Sequence, residues 1–395
     1  MQTIKPKLMD AGGQFCPNQH CPLRGRIGQG NITVHCPKRG RYRCKSCRKT
    51  FSERTGTAFS GLRKEKALVI QVLTLLTYGC PIQAIVAAFD LDERTVADWR
   101  DRAGLHCQQL HKELIVQSNL DLLHVQADEI RAKARGKVVW LAMAPTSGYP
   151  MVSTRLWLGG VVSKDRDHRL AMDIMQLVAG WAKTLSALLI LTDGWPAYPK
   201  AVLKAFRSRQ PGVAGQRGRS GLAIWPGLCF AQVVKVKVAG RLVGIKRLLE
   251  HGTLAHAHQL LQSSGGGQVF NTSYIERFNA TLRQRLAVLT RRSRQAADHL
   301  LTLHSGMYLI GTVYNFCWPH HSLRQRNPAQ AGVDRRTGPK WLVQTPAMAS
   351  GLTDHVWSLE ESLSYKVAPP AYVAAKRRGR PPKSKSSVVN ELNHR

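Results

Sequence analysis

Two short apolar runs each lead up to an acidic residue, and a third acidic residue follows on a helical stretch. The first run is Leu122-Leu123-His124-Val125-Gln126-Ala127-Asp128, whose alternation fits a half-buried strand. The second, Ala187-Leu188-Leu189-Ile190-Leu191-Thr192-Asp193, is broken at once by Gly194-Trp195. Glu276 stands near the start of a helical stretch, Tyr274-Ile275-Glu276-Arg277-Phe278-Asn279. Carboxylates at two strand ends and one on a helix can converge at the edge of a sheet, which predicts an α/β fold. Their hard oxygens suit magnesium, and two such ions can clamp a phosphodiester for in-line displacement.

Taken singly, each acid has a plainer reading. Asp favours turns, and Asp193 precedes a glycine; Glu276 in a first helical turn complements the helix dipole. Order and context together favour the site. Glu129 is a rival ligand, but adjacent residues of a strand point to opposite faces. Asp128 keeps the parity of His124 and Gln126, so it is the expected ligand. On the helix, Glu276, Asn279 and Arg283 share one face, and Phe278, Leu282, Leu286 and Leu289 share the opposite one.

The rest of the chain is basic. Fifty-eight Lys and Arg against 24 Asp and Glu give a net charge of +34, which implies a polyanionic partner, nucleic acid ahead of membrane. No apolar run nears the ~20 residues of a membrane span, and no signal-like segment follows Met1. The expectation is a cytoplasmic, nucleoid-associated protein.

Five of the nine cysteines fall within residues 16–47. Cys44-Lys45-Ser46-Cys47 is a tight pair, and Cys16 and Cys21 form a looser one; four thiolates suit tetrahedral zinc. Cys36, His20 and His35 are alternative ligands. So small a segment needs a staple to fold, which predicts one structural zinc ion over residues 14–55.

Residues 62–104 read as three helices: 63–77, a short one from Pro81 to 89, and 93–102 capped by Asp92 and ended by Gly104. A helix-turn-helix would bury Ile82, Ile85, Val86, Phe89, Val96 and Trp99 and turn Arg94, Thr95, Asp98 and Arg102 to a groove. A linker bundle is the alternative, favoured by Asp92, Glu93, Asp98 and Asp101. Residues 121–325 form the expected catalytic segment. Strands at 137–144 and 151–158 flank a turn at 145–148; then come a helix over 167–185, the Asp193 strand, an Arg/Gly-rich loop at 207–222, and helices over 272–290 and 296–316. Residues 326–365 read as an irregular extension and 366–395 as a disordered basic tail. In the tail, Arg378-Gly379-Arg380 resembles an AT-hook, whose glycine lets the backbone lie in a narrow minor groove. A plain basic tail is the alternative.

Asp128, Thr192-Asp193-Gly194-Trp195 and Asn271-Thr272-Ser273-Tyr274-Ile275-Glu276-Arg277-Phe278-Asn279, with Leu282-Arg283 and Leu289-Thr290-Arg291-Arg292, resemble the DDE transposases of small bacterial insertion sequences. Tyr314-Asn315-Phe316-Cys317-Trp318-Pro319-His320 and Thr345-Pro346-Ala347 extend the resemblance, which covers roughly residues 14–360. Residues 41–51 resemble the second half of the zinc ribbon with which such enzymes often begin. The resemblance implies a ribonuclease H-like mixed sheet flanked by helices, behind a zinc ribbon and a helix-turn-helix. It implies two Mg2+ (or Mn2+) ions on Asp128, Asp193 and Glu276, with Asn279 and Arg283 touching DNA or supporting the ligands. It also implies cleavage at the ends of an element, strand transfer into target DNA, and a homo-oligomer holding both ends.

Overall fold

The computed structural model describes residues 9–118, 120–134, 137–147, 154–183, 185–209, 221–289, 299–327 and 339–374. The chain divides into two compact units, residues 1–56 with 368–395, and residues 57–367. Arg378, Gly379 and Arg380 lie outside the described residues.

The first unit is a three-stranded antiparallel sheet of β1 (Ile32–Cys36), β2 (Arg41–Cys44) and β3 (Thr50–Ser52), in that order. Its core is Phe51, Tyr42 and Ile32 together with the thiols of Cys16, Cys21 and Cys44.

The second unit opens with α1 (Lys66–Thr77), α2 (Ile82–Phe89) and α3 (Glu93–His111). Asp92 caps α3, its Oδ1 accepting the N–H groups of Arg94 and Thr95. The expected stop at Gly104 does not occur: α3 runs on to His111 and widens into a π-turn over Lys112–Val116. Gly104 is instead a crossing point. A Cβ there would lie 2.2 Å from the Ser305 carbonyl oxygen, so α3 passes α8 (Leu300–Thr312) at backbone distance. Val69, Ile85, Val96 and Trp99 therefore share one core with Ile130, Trp157, Phe278 and Met307.

Next come β4 (His124–Ala134), β5 (Lys137–Ser147), β6 (Trp157–Ser163), α4 (His168–Trp181), β7 (Leu188–Asp193) and α5 (Ala197–Ala205). A short pair, β8 (Arg207–Arg209) and β9 (Leu222–Ile224), precedes the long hairpin β10 (Leu228–Val238) and β11 (Arg241–His251). The expected turn at 145–148 is strand as far as Ser147; Pro145 sits at a register slip against β6, where a proline is tolerated. After β11 come α6 (Leu254–Ser263), α7 (Ser273–Arg285) and α8. The segment expected to be irregular contributes β12 (Gln325–Arg326), β13 (Trp341–Leu342), α9 (Pro346–Ala349) and α10 (Leu359–Ser364), and it buries Ala347, Trp357 and Leu363.

The central sheet is mixed and six-stranded, in the order β11-β10-β7-β4-β5-β6. β4 and β10 both run parallel to β7; the remaining neighbours are antiparallel. Alternation along the strands builds two layers. Val125, Ala127, Leu188, Ile190, Leu228 and Phe230 pack with α4 and α5. On the other face, Leu189, Leu191, Cys229 and Ala231 pack with α6, and Ile130 packs with α7 and α8. No helix among the described residues is long and apolar enough to cross a membrane.

Candidate functional site

Asp128 does not end its strand, as its sequence predicts; β4 continues to Ala134 because residues 129–134 pair with β5. What ends at Asp128 is the pairing with β7, whose last partners are Ala127 and Thr192. The turn at Gly194-Trp195 stops β7 there, and the two aspartates come side by side at the sheet's rim on the α6–α7 face. A Cβ on Gly194 would lie 2.9 Å from a Val234 methyl, so a side chain there would force Val234 to shift.

Helix α7 brings the third carboxylate, and β4 fixes where that helix begins. Gln126, two residues before Asp128 on the same face, accepts the N–H groups of Tyr274 (2.9 Å) and Ile275 (3.1 Å) through Oε1. Its Nε2 donates to the Asn271 carbonyl at 2.9 Å. Two N–H groups that a helix N-terminus leaves without partners are thus satisfied from inside the sheet. One turn further on, Asn279 donates from Nδ2 to Asp128 Oδ2 at 2.8 Å; it is 2% exposed and faces the carboxylate rather than solvent. Arg283 lies on the last turn of α7.

Asp128, Asp193 and Glu276 line one cavity of about 470 Å³, together with Arg166, Trp195, Lys235, Lys237 and Thr272. Their carboxylates are not equally placed. Oxygens of Asp128, Glu129 and Asp193 lie within 4.8 Å of one another, a possible metal group. Glu276 is outside that group, bound to Lys235 Nζ at 2.5 Å and to the Thr272 hydroxyl at 3.0 Å. Alternation does send the Glu129 side chain to the other layer, where Oε2 accepts from the buried Tyr198 hydroxyl at 3.0 Å. It nevertheless stays in the cluster, because Arg166 bonds Glu129 Oε1 and lies 3.8 Å from Asp193 Oδ2. The Arg166 guanidinium is 5.1 Å from the Trp140 ring and 4.6 Å from that of Trp195.

The electrostatics are those of a site short of positive charge. Burial, then the charges of Glu129 and Asp193, push the Asp128 carboxyl up to about 7. Burial likewise raises Glu129, with Asp193 adding to it against the opposing pull of Arg166. It raises Asp193 too, although the Trp195 N–H and Arg166 oppose it. A hard divalent cation would supply the missing charge, and the oxygen donors fit one. Asp193 also performs the plainer turn role, since its Oδ1 accepts the Trp195 N–H at 3.1 Å. A roomier cavity of about 770 Å³ lies elsewhere, among α2, α3 and α8, lined by Ile82, Arg94, Leu286 and Ile310.

In the first unit, the Sγ atoms of Cys16, Cys21, Cys44 and Cys47 all lie within 4.8 Å of one another. Cys16 and Cys47 are 3.5 Å apart, and Cys21 and Cys44 3.9 Å. This group takes Cys21 and leaves out Cys36, His20 and His35. The turn after Cys47 puts Arg48 at φ 60°, and its N–H returns to the Cys44 carbonyl at 2.8 Å. Burial raises the Cys16 and Cys21 thiols. Burial also opposes ionisation of Cys47, but the Asn18 side chain, the Lys49 N–H and the neighbouring thiols outweigh it and bring that thiol down to about 7. Asn31 Nδ2 points at Cys44 Sγ from 3.4 Å. Four soft donors closing on one point fit a tetrahedral metal.

Arg94 is exposed and Thr95 half-buried at the start of α3. Asp98 and Arg102 pair with each other at 2.8 Å, and Arg102 also donates to the Ser60 carbonyl. Sequence reasoning passed over Gln126, Arg166, Gln232 and Lys235. Gln232, on β10, donates to the Asp193 carbonyl at 2.8 Å and so holds the end of β7. Only Gln126 carried a signal, its shared parity with Asp128. No protein-family model matches the chain, and a search of curated proteins also finds no match.

Proposed function

We propose that the chain is an insertion-sequence transposase, a metal-dependent enzyme that cuts DNA 3′ ends and joins them to target DNA. The observation that carries this reading is the meeting of Asp128, Asp193 and Glu276 in one cavity, two of them from adjacent parallel strands and one from a helix registered on β4. The strand order supports a ribonuclease H-like sheet: three antiparallel strands, β6-β5-β4, followed by β7 and β10 parallel to β4.

Two magnesium or manganese ions, held by Asp128, Asp193 and Glu276, would supply Lewis acidity to an in-line displacement at phosphorus. Asn279 holds one oxygen of Asp128, and Gln126 holds the helix that carries Glu276. Lys235 is the counter-charge of Glu276 and must be displaced, or turn to a phosphate, when that carboxylate binds a cation. Arg166 balances Glu129 and Asp193 and bears on the same cavity. The four-cysteine cluster in its three-stranded sheet supports a structural zinc ribbon, and α2–α3 support a helix-turn-helix that reads element ends.

The ion pair of Glu276 with Lys235 favours a second reading, a DNA-binding protein whose carboxylates do no chemistry. One assay separates the two. Labelled DNA from both flanks of the gene is incubated with protein and Mg2+ or Mn2+, beside an Asp193→Asn variant. Nicking at 3′ ends followed by joined product, absent from the variant, is expected. Binding without either product would leave the non-catalytic DNA-binding protein, and nicking without joining would leave a nuclease.

A further inference from the structure

The hairpin of β10 and β11 is longer than the sheet it belongs to. The two strands pair with each other from Phe230↔His251 to Val238↔Arg241. β10 pairs with β7 only as far as Val233↔Asp193. Beyond that line, residues 234–238 and 241–246 form a two-stranded ribbon that no other described strand joins. It starts beside Asp193, and Lys235 and Lys237 at its root line the carboxylate cavity. The tip is a two-residue turn with Ala239 at φ 46° and Gly240 at φ 79°, a left-handed pair that matches the twist of a free ribbon.

The composition of the ribbon is one-sided in sign. Residues 234–246 hold Lys235, Lys237, Arg241 and Lys246 and no Asp or Glu. Register places the cations on both faces: Lys235 and Lys237 share one with Ile245 and Leu242, while Lys246 and Arg241 share the other with Val234 and Val238. Val238, Leu242 and Val243 are 62%, 55% and 60% exposed. A ribbon laid flat on a protein surface would need charge on one face only, and against a second copy of itself it would set like charges together. A duplex groove fits better. The major groove is about 12 Å wide, admits a two-stranded ribbon, and has a phosphate wall on each side with apolar methyl groups on its floor.

We propose that this ribbon is a DNA-binding arm that grips the duplex next to the cut site, with Lys237, Arg241 and Lys246 on backbone phosphates. The proposal rests on reading the cavity as a site for DNA phosphodiester chemistry, but its test needs no chemistry. Binding of the full-length protein to a labelled 30-bp duplex of arbitrary sequence is measured by anisotropy over a salt series, without added divalent metal. Each phosphate contact contributes about 0.9 to the slope of log affinity against log salt, so Lys237→Gln/Arg241→Gln/Lys246→Gln should lower the slope by about 2 to 3. A control of equal charge, Lys64→Gln/Lys200→Gln/Lys204→Gln, removes exposed lysines elsewhere and should move it by less than about 1. Equal slopes for wild type and ribbon variant, or equal losses in ribbon variant and control, would overturn the arm and leave the transposase reading standing. Failure of the wild type to bind any duplex would overturn both. If light scattering shows the ribbon variant losing a dimer while its slope is unchanged, the surface belongs to a second copy and the proposal fails.

Discussion

Asp128 is a carboxyl placed where ionisation is costly. Its ordinary value is about 3.9, and burial with two acidic neighbours lifts it to about 7. Between those values the metal-free folded protein keeps a proton that the unfolded chain gives up. The stability this contributes is full below the lower value and is lost as pH rises through about 7. On the proposed function, a divalent cation would compete with the same proton. Affinity for Mn2+ should therefore rise about tenfold per pH unit up to about pH 7 and flatten above it. Titration calorimetry in buffers of different ionisation heat would count the proton released, and Asp128→Asn should remove the part of the dependence that lies near pH 7. A wild-type affinity that is flat across that range would show that Asp128 is not a ligand. Asp128, Asp193 and Glu276 were legible because an acid closing an apolar run, or opening a helix, stands out from its surroundings. Gln126 and Gln232 were not, since a glutamine in a strand reads as one more polar alternate. Arg166 and Lys235 acquire their partners only when loops and strands far apart in sequence fold together.

Helices and strands were found where periodicity was strong, and their ends were missed where packing overrides local signals. Gly104 is the sharpest case. As a terminator it would tolerate little but glycine for reasons of backbone angle; as observed, it lies inside α3 with ordinary helical geometry against the α8 backbone. Alanine would raise local helix propensity, yet its methyl has no room beside Ser305. Gly104→Ala should cost about 1–3 kcal/mol through overpacking, read as a lower midpoint in denaturant melts. A neutral or stabilising result would mean that the two helices do not cross there. The same blindness explains β4, whose extension past Asp128 depends on pairing with β5, and β5, whose Pro145 reads as a turn until the slip against β6 is seen. Residues 326–365 looked irregular because the short elements among them have no periodicity of their own; within the described residues 339–365, Ala347, Trp357 and Leu363 are buried in cores built by other segments.

At the scale of the whole chain, the two units depend on different forces. Residues 57–367 bury large apolar clusters around the six-stranded sheet. Among its described residues the first unit buries four large apolar side chains, Phe15, Ile32, Tyr42 and Phe51, and three thiols, and domains with so little core are stabilised by a metal or a cross-link. All nine cysteines are free of disulfides, and four of them cluster as a possible metal site, so a metal is the staple we propose. The consequence can be read without separating the units, because all nine tryptophans lie between residues 57 and 367. Metal analysis of the purified full chain should give one zinc. Stripping it with a chelator under reducing conditions should abolish one calorimetric transition and open residues 9–56 to trypsin. The tryptophan-monitored melt should stay in place, since that probe is blind to the first unit. Cys44→Ser should mimic the chelator, because a tetrahedral site short of one thiolate and left with burial-raised partners binds weakly. A chelated protein with an unchanged tryptic pattern and both transitions intact would show that the four thiols are only core packing.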